Sequence, residues 1–232
     1  MNTFNPNEFP AWLRYLAAAV SIFKKPGYQL KADNTDKFDT LAKEPYSQLR
    51  RNIMNGDLLF CGGNYAFSKV IRYFSGGSRV SHIGIVYWWN SRLMLLESVE
   101  SDGVRIVPVS QYLENYENSN RPYDGRIYLA RDTRLYRTNQ SVRNPQVDAL
   151  LNQAASLLNK NFGFWDVVVF FWKGATGRGT YQVNDYFLCS EFVAKCFDLI
   201  GLQCPDDGSG FITPEHIAGA PEVNAICEIV RD

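Results

Sequence analysis

Apolar positions recur at helical spacing toward the end of the chain. Cys189, Val193, Cys196 and Ile200 stand at i, i+4, i+7 and i+11, with Phe192 and Phe197 beside them. The stripe predicts an amphipathic helix that turns its opening cysteine toward whatever it packs on. A period of two rules the middle of the chain. Ser81 to Trp89, Leu93 to Ser98 and Val104 to Val107 are rich in β-branched and aromatic residues and are separated by the polar turns Asn90-Ser91 and Ser101-Asp102-Gly103, which predicts an antiparallel meander. Leu58-Leu59-Phe60 after the Asn55-Gly56-Asp57 turn and Ile127 to Ala130 read as further strands. Helices are expected over 66–74, 108–116 and 145–160, the last opened by Asn144-Pro145, and a short one after Thr213-Pro214.

The meander allows a geometric step. If Asn90-Ser91 is a two-residue hairpin loop, 89 pairs with 92, and 84 lies opposite 97. Residues two apart on one strand share a face, so His82 and Glu97 become diagonal neighbours on the same side of the sheet. An odd loop without a bulge would send Glu97 to the other face.

Residues 1–45 read as an N-terminal helical extension and 46–232 as the main domain. Trp12, Leu13, Leu16, Val20 and Phe23 keep helical spacing before a Lys-Lys-Pro-Gly break at 24–27. The most apolar window, 162–172, is too short to span a bilayer and is expected to be a buried element or a wall lining a substrate channel. The glycine-rich 173–179 lacks the Gly-Lys-Ser/Thr ending of a phosphate-binding loop.

Composition narrows the function. At 232 residues and 46% hydrophobic content the chain can bury a full core. Lys plus Arg and Asp plus Glu both count 24, so no net basic field draws it to nucleic acid, which is not expected as a partner. The five cysteines, at 61, 189, 196, 204 and 227, are odd in number, form no CxxC pair and follow no secretory signal. Neither a disulfide framework nor a metal site is expected, and no cofactor is implied. A reducing, cytoplasmic location follows as the expectation, with no transmembrane segment. Contact with a membrane surface and the oligomeric state are left open.

Candidate chemistry gathers on three residues. A thiol in the first turn of a helix sits where unpaired N–H groups and the helix dipole favour an anion. A cysteine nucleophile also needs a base, and the base an orienting group. Cys189, His82 and Glu97 fill these roles, with the Cys189 N–H as an oxyanion donor. Taken singly, each has a plain structural explanation, because buried cysteines are usually core packing. Their conjunction is what folding alone does not require. The other histidine, His216, lies in a short helix with only Glu215 to orient it and ranks below His82.

The succession Gly56-Asp57-Leu-Leu-Phe60, Ser81-His82-Ile-Gly-Ile-Val86, Leu96-Glu97 with Gly103-Val104, Phe187-Leu-Cys189-Ser190-Glu191-Phe-Val193 and Phe211-Ile-Thr-Pro214 resembles the circularly permuted NlpC-type papain-like cysteine hydrolases, the YiiX-like proteins. As in those proteins, the histidine strand precedes the cysteine helix. The resemblance spans roughly 46–220. It implies an α+β, circularly permuted papain-like fold: an antiparallel sheet, a meander or partial barrel, packed against the helix that carries the cysteine.

The resemblance further implies a Cys189–His82–Glu97 triad that cleaves an amide bond through a thioester, as a peptidase or amidase acting on peptides such as those of cell walls. Family members often carry a Tyr-Asp pair upstream of the cysteine helix, and Trp165-Asp166 is the matching position here, which replaces a phenol by an indole. Trp165, Tyr186 and Ser81 are the expected substrate-binding residues. An alternative, favoured by the indole and the apolar window, is a lipid or thioester acyltransferase or deacylase of the lecithin:retinol acyltransferase-like type. A second is a non-catalytic binding or structural module. The expected partner is a peptide or acyl-bearing substrate.

Overall fold

The computed structural model describes residues 35–65, 68–69, 71–72, 78–136, 144–162, 188–205 and 212–232. The expected helix in the first 45 residues, most of the 162–172 window, the 173–179 loop, Trp165 and Tyr186 lie outside them.

A seven-stranded sheet organises the chain, in the spatial order β1-β7-β6-β2-β3-β4-β5. Its strands are β1 (Lys43–Pro45), β2 (Leu58–Gly63), β3 (His82–Trp89), β4 (Arg92–Val99), β5 (Gly103–Pro108), β6 (Gly125–Asp132) and β7 (Val223–Val230). Strands β3 to β5 form the expected meander, and β2, expected as a separate strand, pairs antiparallel with β3. All neighbours run antiparallel except β1 and β7, which pair in parallel. Helices α1 (Tyr46–Leu49), α2 (Val109–Glu114), α3 (Pro145–Ser156), α4 (Cys189–Asp198) and α5 (Pro214–Gly219) cover both faces.

The pleat sorts apolar side chains into two cores. Leu58 and Phe60 of β2, Ile83 and Ile85 of β3 and Leu96 of β4 point to one face, where Phe192, Val193, Cys196 and Phe197 of α4 and Leu150 of α3 cover them. Leu59, Cys61, Val86 and Leu95 point to the other, under Tyr112 and Leu113 of α2 and Leu49 of α1. A sheet buried on both sides accounts for the unbroken apolar run of β2.

Local signals set several boundaries. Asn144 caps α3, its Oδ1 accepting from the N–H of Gln146 at 3.1 Å and of Val147 at 3.4 Å, with Pro145 in the first turn. α3 ends at Ser156, short of the expected 160, and turns follow it. Helix α2 likewise stops at Glu114, where Asn115 leaves helical φ/ψ. The turn Asn90-Ser91 is the two-residue loop the parity argument needs. Trp89 pairs with Arg92 and Gly84 with Glu97, with Asn90 at φ 53°.

Two strands are absent from the sequence reading. β1 is three residues, Lys-Glu-Pro, with no apolar pattern, and exists because β7 offers it a free edge. β7 carries an extra residue opposite β6, the register passing from Leu129–Cys227 to Ala130–Ala225. This bulge switches faces: Val223 packs in the core under α4, whereas Cys227 and Ile229 pack in the other. Residues 35–45, assigned above to the extension, place Phe38 in the first core and β1 at the sheet edge.

Candidate active site at the end of the sheet

Cys189 is the first residue of α4, preceded by Leu188 in extended conformation. Glu191 reaches back so that its Oε2 accepts from the Leu188 N–H at 3.0 Å, which fixes the chain as it enters the helix. Ser190 turns its hydroxyl to the Ile212 carbonyl at 2.6 Å and so ties the helix start to the segment before α5. The thiol is buried, 9% exposed, and lies 4.0 Å from the Ser81 carbonyl oxygen.

That carbonyl belongs to the residue before β3. His82 opens the strand, and its parity with Gly84 and Val86 aims it at the face opposite α4. Glu97, matched to Gly84, points the same way. The cysteine comes from one face and the imidazole from the other. They meet where β3 begins and no further strand residue separates them.

The imidazole is hydrogen-bonded to Glu97, with Nε2 2.6 Å from Oε2, and the Cys189 thiol neighbours it closely enough to act on its proton. With Nε2 engaged by the carboxylate, Nδ1 is the nitrogen left for the sulfur. Burial by itself would lower the imidazole's pKa. The bonds and charges of Cys189 and Glu97 outweigh it and raise the value to about 10. Burial would raise Glu97, but His82, Arg105 and Tyr112 hold it down to about 2. The two shifts describe one charged pair.

Glu97 has no solvent exposure. Its Oε2 also accepts from the Tyr112 hydroxyl at 2.5 Å, and its Oε1 accepts from Arg105 Nε at 3.0 Å, with Nη2 of the same guanidinium ion-paired to it at 2.9 Å. Arg105 sits opposite Glu97 on β5 and is held in turn by Asp102 at 2.6 Å and by Glu117. Tyr112 stacks at 14° to the imidazole plane, 6.5 Å between centroids, and packs against Tyr116 and Tyr123.

Arg105 and Tyr112 are site residues that the sequence reading missed. An arginine among Val104, Ile106 and Val107 was a signal, and the turn Ser101-Asp102-Gly103 carries it opposite Glu97. Tyr112 had none, because only tertiary packing brings α2 to this end of β4. A second thiol, Cys61, pairs with His82 across β2 and is fully buried. Burial, then the charges of Glu97 and Cys189, push its pKa up and keep it a neutral thiol.

Ser81 is buried, with its hydroxyl 3.3 Å from the Cys61 carbonyl and 3.5 Å from the Gly63 N–H. His216 serves its own helix, Nδ1 accepting from the Thr213 N–H at 3.1 Å while Thr213 Oγ1 accepts from the His216 N–H at 3.2 Å. Among the described residues no group of three His, Cys, Asp or Glu side chains is placed to hold a metal ion, and no helix is long and apolar enough to cross a membrane.

A family profile described as "permuted papain-like amidase enzyme, YaeF/YiiX, C92 family" matches residues 52–209. A solved structure titled as the metalloprotein yiiX from Escherichia coli O157:H7 is similar at 18% identity and a TM-score of 0.44, over 75% of this chain and 97% of that one. No curated protein matches.

Proposed function

The chain belongs to the permuted papain-like amidase family, a family of cysteine hydrolases, and from that premise we propose that Cys189, His82 and Glu97 are the triad that cleaves an amide bond of a peptide substrate. The observation that carries the reading is the imidazole held between the thiol and a buried carboxylate.

In this reading His82 takes the Cys189 proton at Nδ1 and holds the thiolate as an ion pair. The sulfur attacks the carbonyl carbon. The resulting oxyanion lies against the Cys189 N–H, a donor without an intrahelical acceptor at the first position of α4. As the C–N bond breaks, Nδ1–H protonates the departing amine and the acyl group stays on sulfur as a thioester. Water then attacks the thioester while neutral His82 accepts its proton, and collapse releases the acid and restores the thiol. Glu97 keeps Nε2 protonated at each stage. The Ser81 carbonyl, beside the sulfur, would border the acyl group. Trp165 and Tyr186 complete the proposed substrate surface, and the main domain proposed over 46–232 also takes in residues 35–45, through β1 and Phe38.

The test is alkylation by iodoacetamide at pH 7, read cysteine by cysteine by mass spectrometry. An ordinary thiol is only a few per cent ionised there, so Cys189 is expected to react at least ~10-fold faster than the other four cysteines. His82→Ala should remove the difference. Uniform slow labelling would instead point to a scaffold without turnover. Incubation with peptide amides and with acyl lipids, followed by weighing the adduct on Cys189, separates the amidase from the acyl-transfer alternative. A fatty-acyl mass without any peptidyl mass would replace the first reading by the second.

A further inference from the structure

We propose that Arg105 is a positioning residue of this reaction: paired with the buried Glu97, it keeps the carboxylate ionised while the imidazole beyond it gains and loses its proton, so that His82 holds one tautomer through the whole cycle. The inference rests on the triad reading above and deepens it.

No part of the Glu97 side chain reaches water, so every charge it carries must be met by protein groups. In the resting pair His82 is a cation and can meet it. After the imidazole has given its proton to the leaving amine, the partners left on Oε2 among the described residues are a neutral ring and the Tyr112 hydroxyl. A buried carboxylate so placed would tend to draw the Nε2 proton onto itself. Coupled to uptake of a proton from solvent at Nδ1, that transfer would leave a neutral ring whose one proton sits on Nδ1, facing the thioester, where a base is needed for water. Arg105 prevents it by placing a permanent positive charge on Oε1.

Three features suit Arg105 to this task. It lies directly opposite Glu97 in the β4–β5 register, so its distance is set by the sheet. Its guanidinium is 13% exposed and little screened. It is also braced from behind, Glu117 taking both terminal nitrogens and Asp102 one of them. The groups around the Glu97–Arg105 pair are His82 from β3, Cys61 from β2, Tyr112 from α2, and Tyr116 and Glu117 from the turn after it. Glu100 and Asp102 lie in the β4–β5 turn, and Cys189 lies beyond the imidazole. Arg105 is the permanent cation among them.

The direct test is the ¹⁵N signal of the His82 ring in wild-type enzyme whose Cys189 has been capped as the neutral methyl disulfide. The chain has only two histidines, and a His216 variant assigns them. The proposal expects Nε2–H with Nδ1 bare. An Nδ1–H tautomer overturns it.

Variants supply the second readout. Arg105→Gln should slow deacylation of the enzyme acetylated by p-nitrophenyl acetate about 10-fold or more, with a smaller loss in the acylation burst. It should also move the acid limb of Cys189 alkylation upward by about one pH unit, because a cation has been removed from the cluster. Arg105→Lys should restore the limb. A folded Arg105→Gln whose deacylation and acid limb stay within about twofold of wild type overturns the proposal. If that variant does not fold, the wild-type tautomer decides. A wild type whose Cys189 alkylates no faster than the other cysteines overturns the triad reading itself, and this inference with it. A reactive Cys189 with an unmoved Arg105→Gln sinks this inference alone.

Discussion

His82 is held between a thiol and a carboxylate, and both contacts favour its proton. Burial opposes them and is outweighed, so the folded pKa stands near 10 against an ordinary 6.5, while that of Glu97 stands near 2 against 4.5. For the base, a raised value means stabilisation that is complete below 6.5 and lost as pH rises through 10. For the acid, a depressed value means stabilisation that is present above 4.5 and lost as pH falls through 2. The pair is therefore at full strength between these windows. Urea unfolding should show wild type with its largest advantage over His82→Gln near pH 6, shrinking steadily toward pH 10. A constant advantage across that range would mean that the imidazole carries no charge in the folded state. At this scale much was legible. Residue types and hairpin parity pointed to Cys189, His82 and Glu97, because a two-residue turn leaves one register. The partners of Glu97 were harder, since a fully buried carboxylate collects donors from β5 and α2, and only the Arg105 side of that set lies within reach of a local pairing argument.

Elements carry the site by fixing where strands begin and end. Asp57 illustrates this at the far end of β2. It is wholly buried, and its Oδ1 and Oδ2 accept from Arg131 Nε at 2.6 Å and Nη2 at 2.8 Å. Oδ2 also accepts from the Met54 N–H at 2.8 Å. The residue thus closes the 54–57 turn and ties β2 to β6. Asp57→Ala should cost about 3 kcal/mol of unfolding free energy. That is the lower end for breaking a buried pair, because Arg131 keeps partial access to water. Cys189 alkylation in the folded variant should match wild type, since β2 meets His82 at its other end, through Cys61. A matching loss of reactivity would make Asp57 part of the site. The Gly-Asp motif thus acts here as a strand-opening device. Its Gly56, at φ 86°, occupies a backbone region that other residues rarely adopt.

At the scale of the molecule, the sheet is built from sequence-distant pieces. β1, near residue 44, closes on β7, near residue 229, and Lys37 Nζ donates to the Ala220 carbonyl at 2.9 Å. Phe38 packs edge-on against Phe60 at 5.5 Å and Tyr128 at 5.4 Å between centroids. Phe38→Ala should therefore lower stability by about 3–5 kcal/mol while unfolding remains a single transition. A separate early transition would show instead that residues 35–45 fold apart from the sheet.

The amino-acid sequence alone determined the meander, the helix that begins at Cys189 and the pairing of His82 with Glu97. Each depends on periodicity or turn length within a few residues. It did not determine β1, which has no pattern of its own, or β7, whose bulge breaks the link between alternation and face. Nor did it show that the cysteine and the imidazole come from opposite faces of the sheet and meet at the end of β3, or that Arg105 and Tyr112 converge on Glu97. Those facts depend on how helices stack on a finished sheet, and burial then gives the charges their strength.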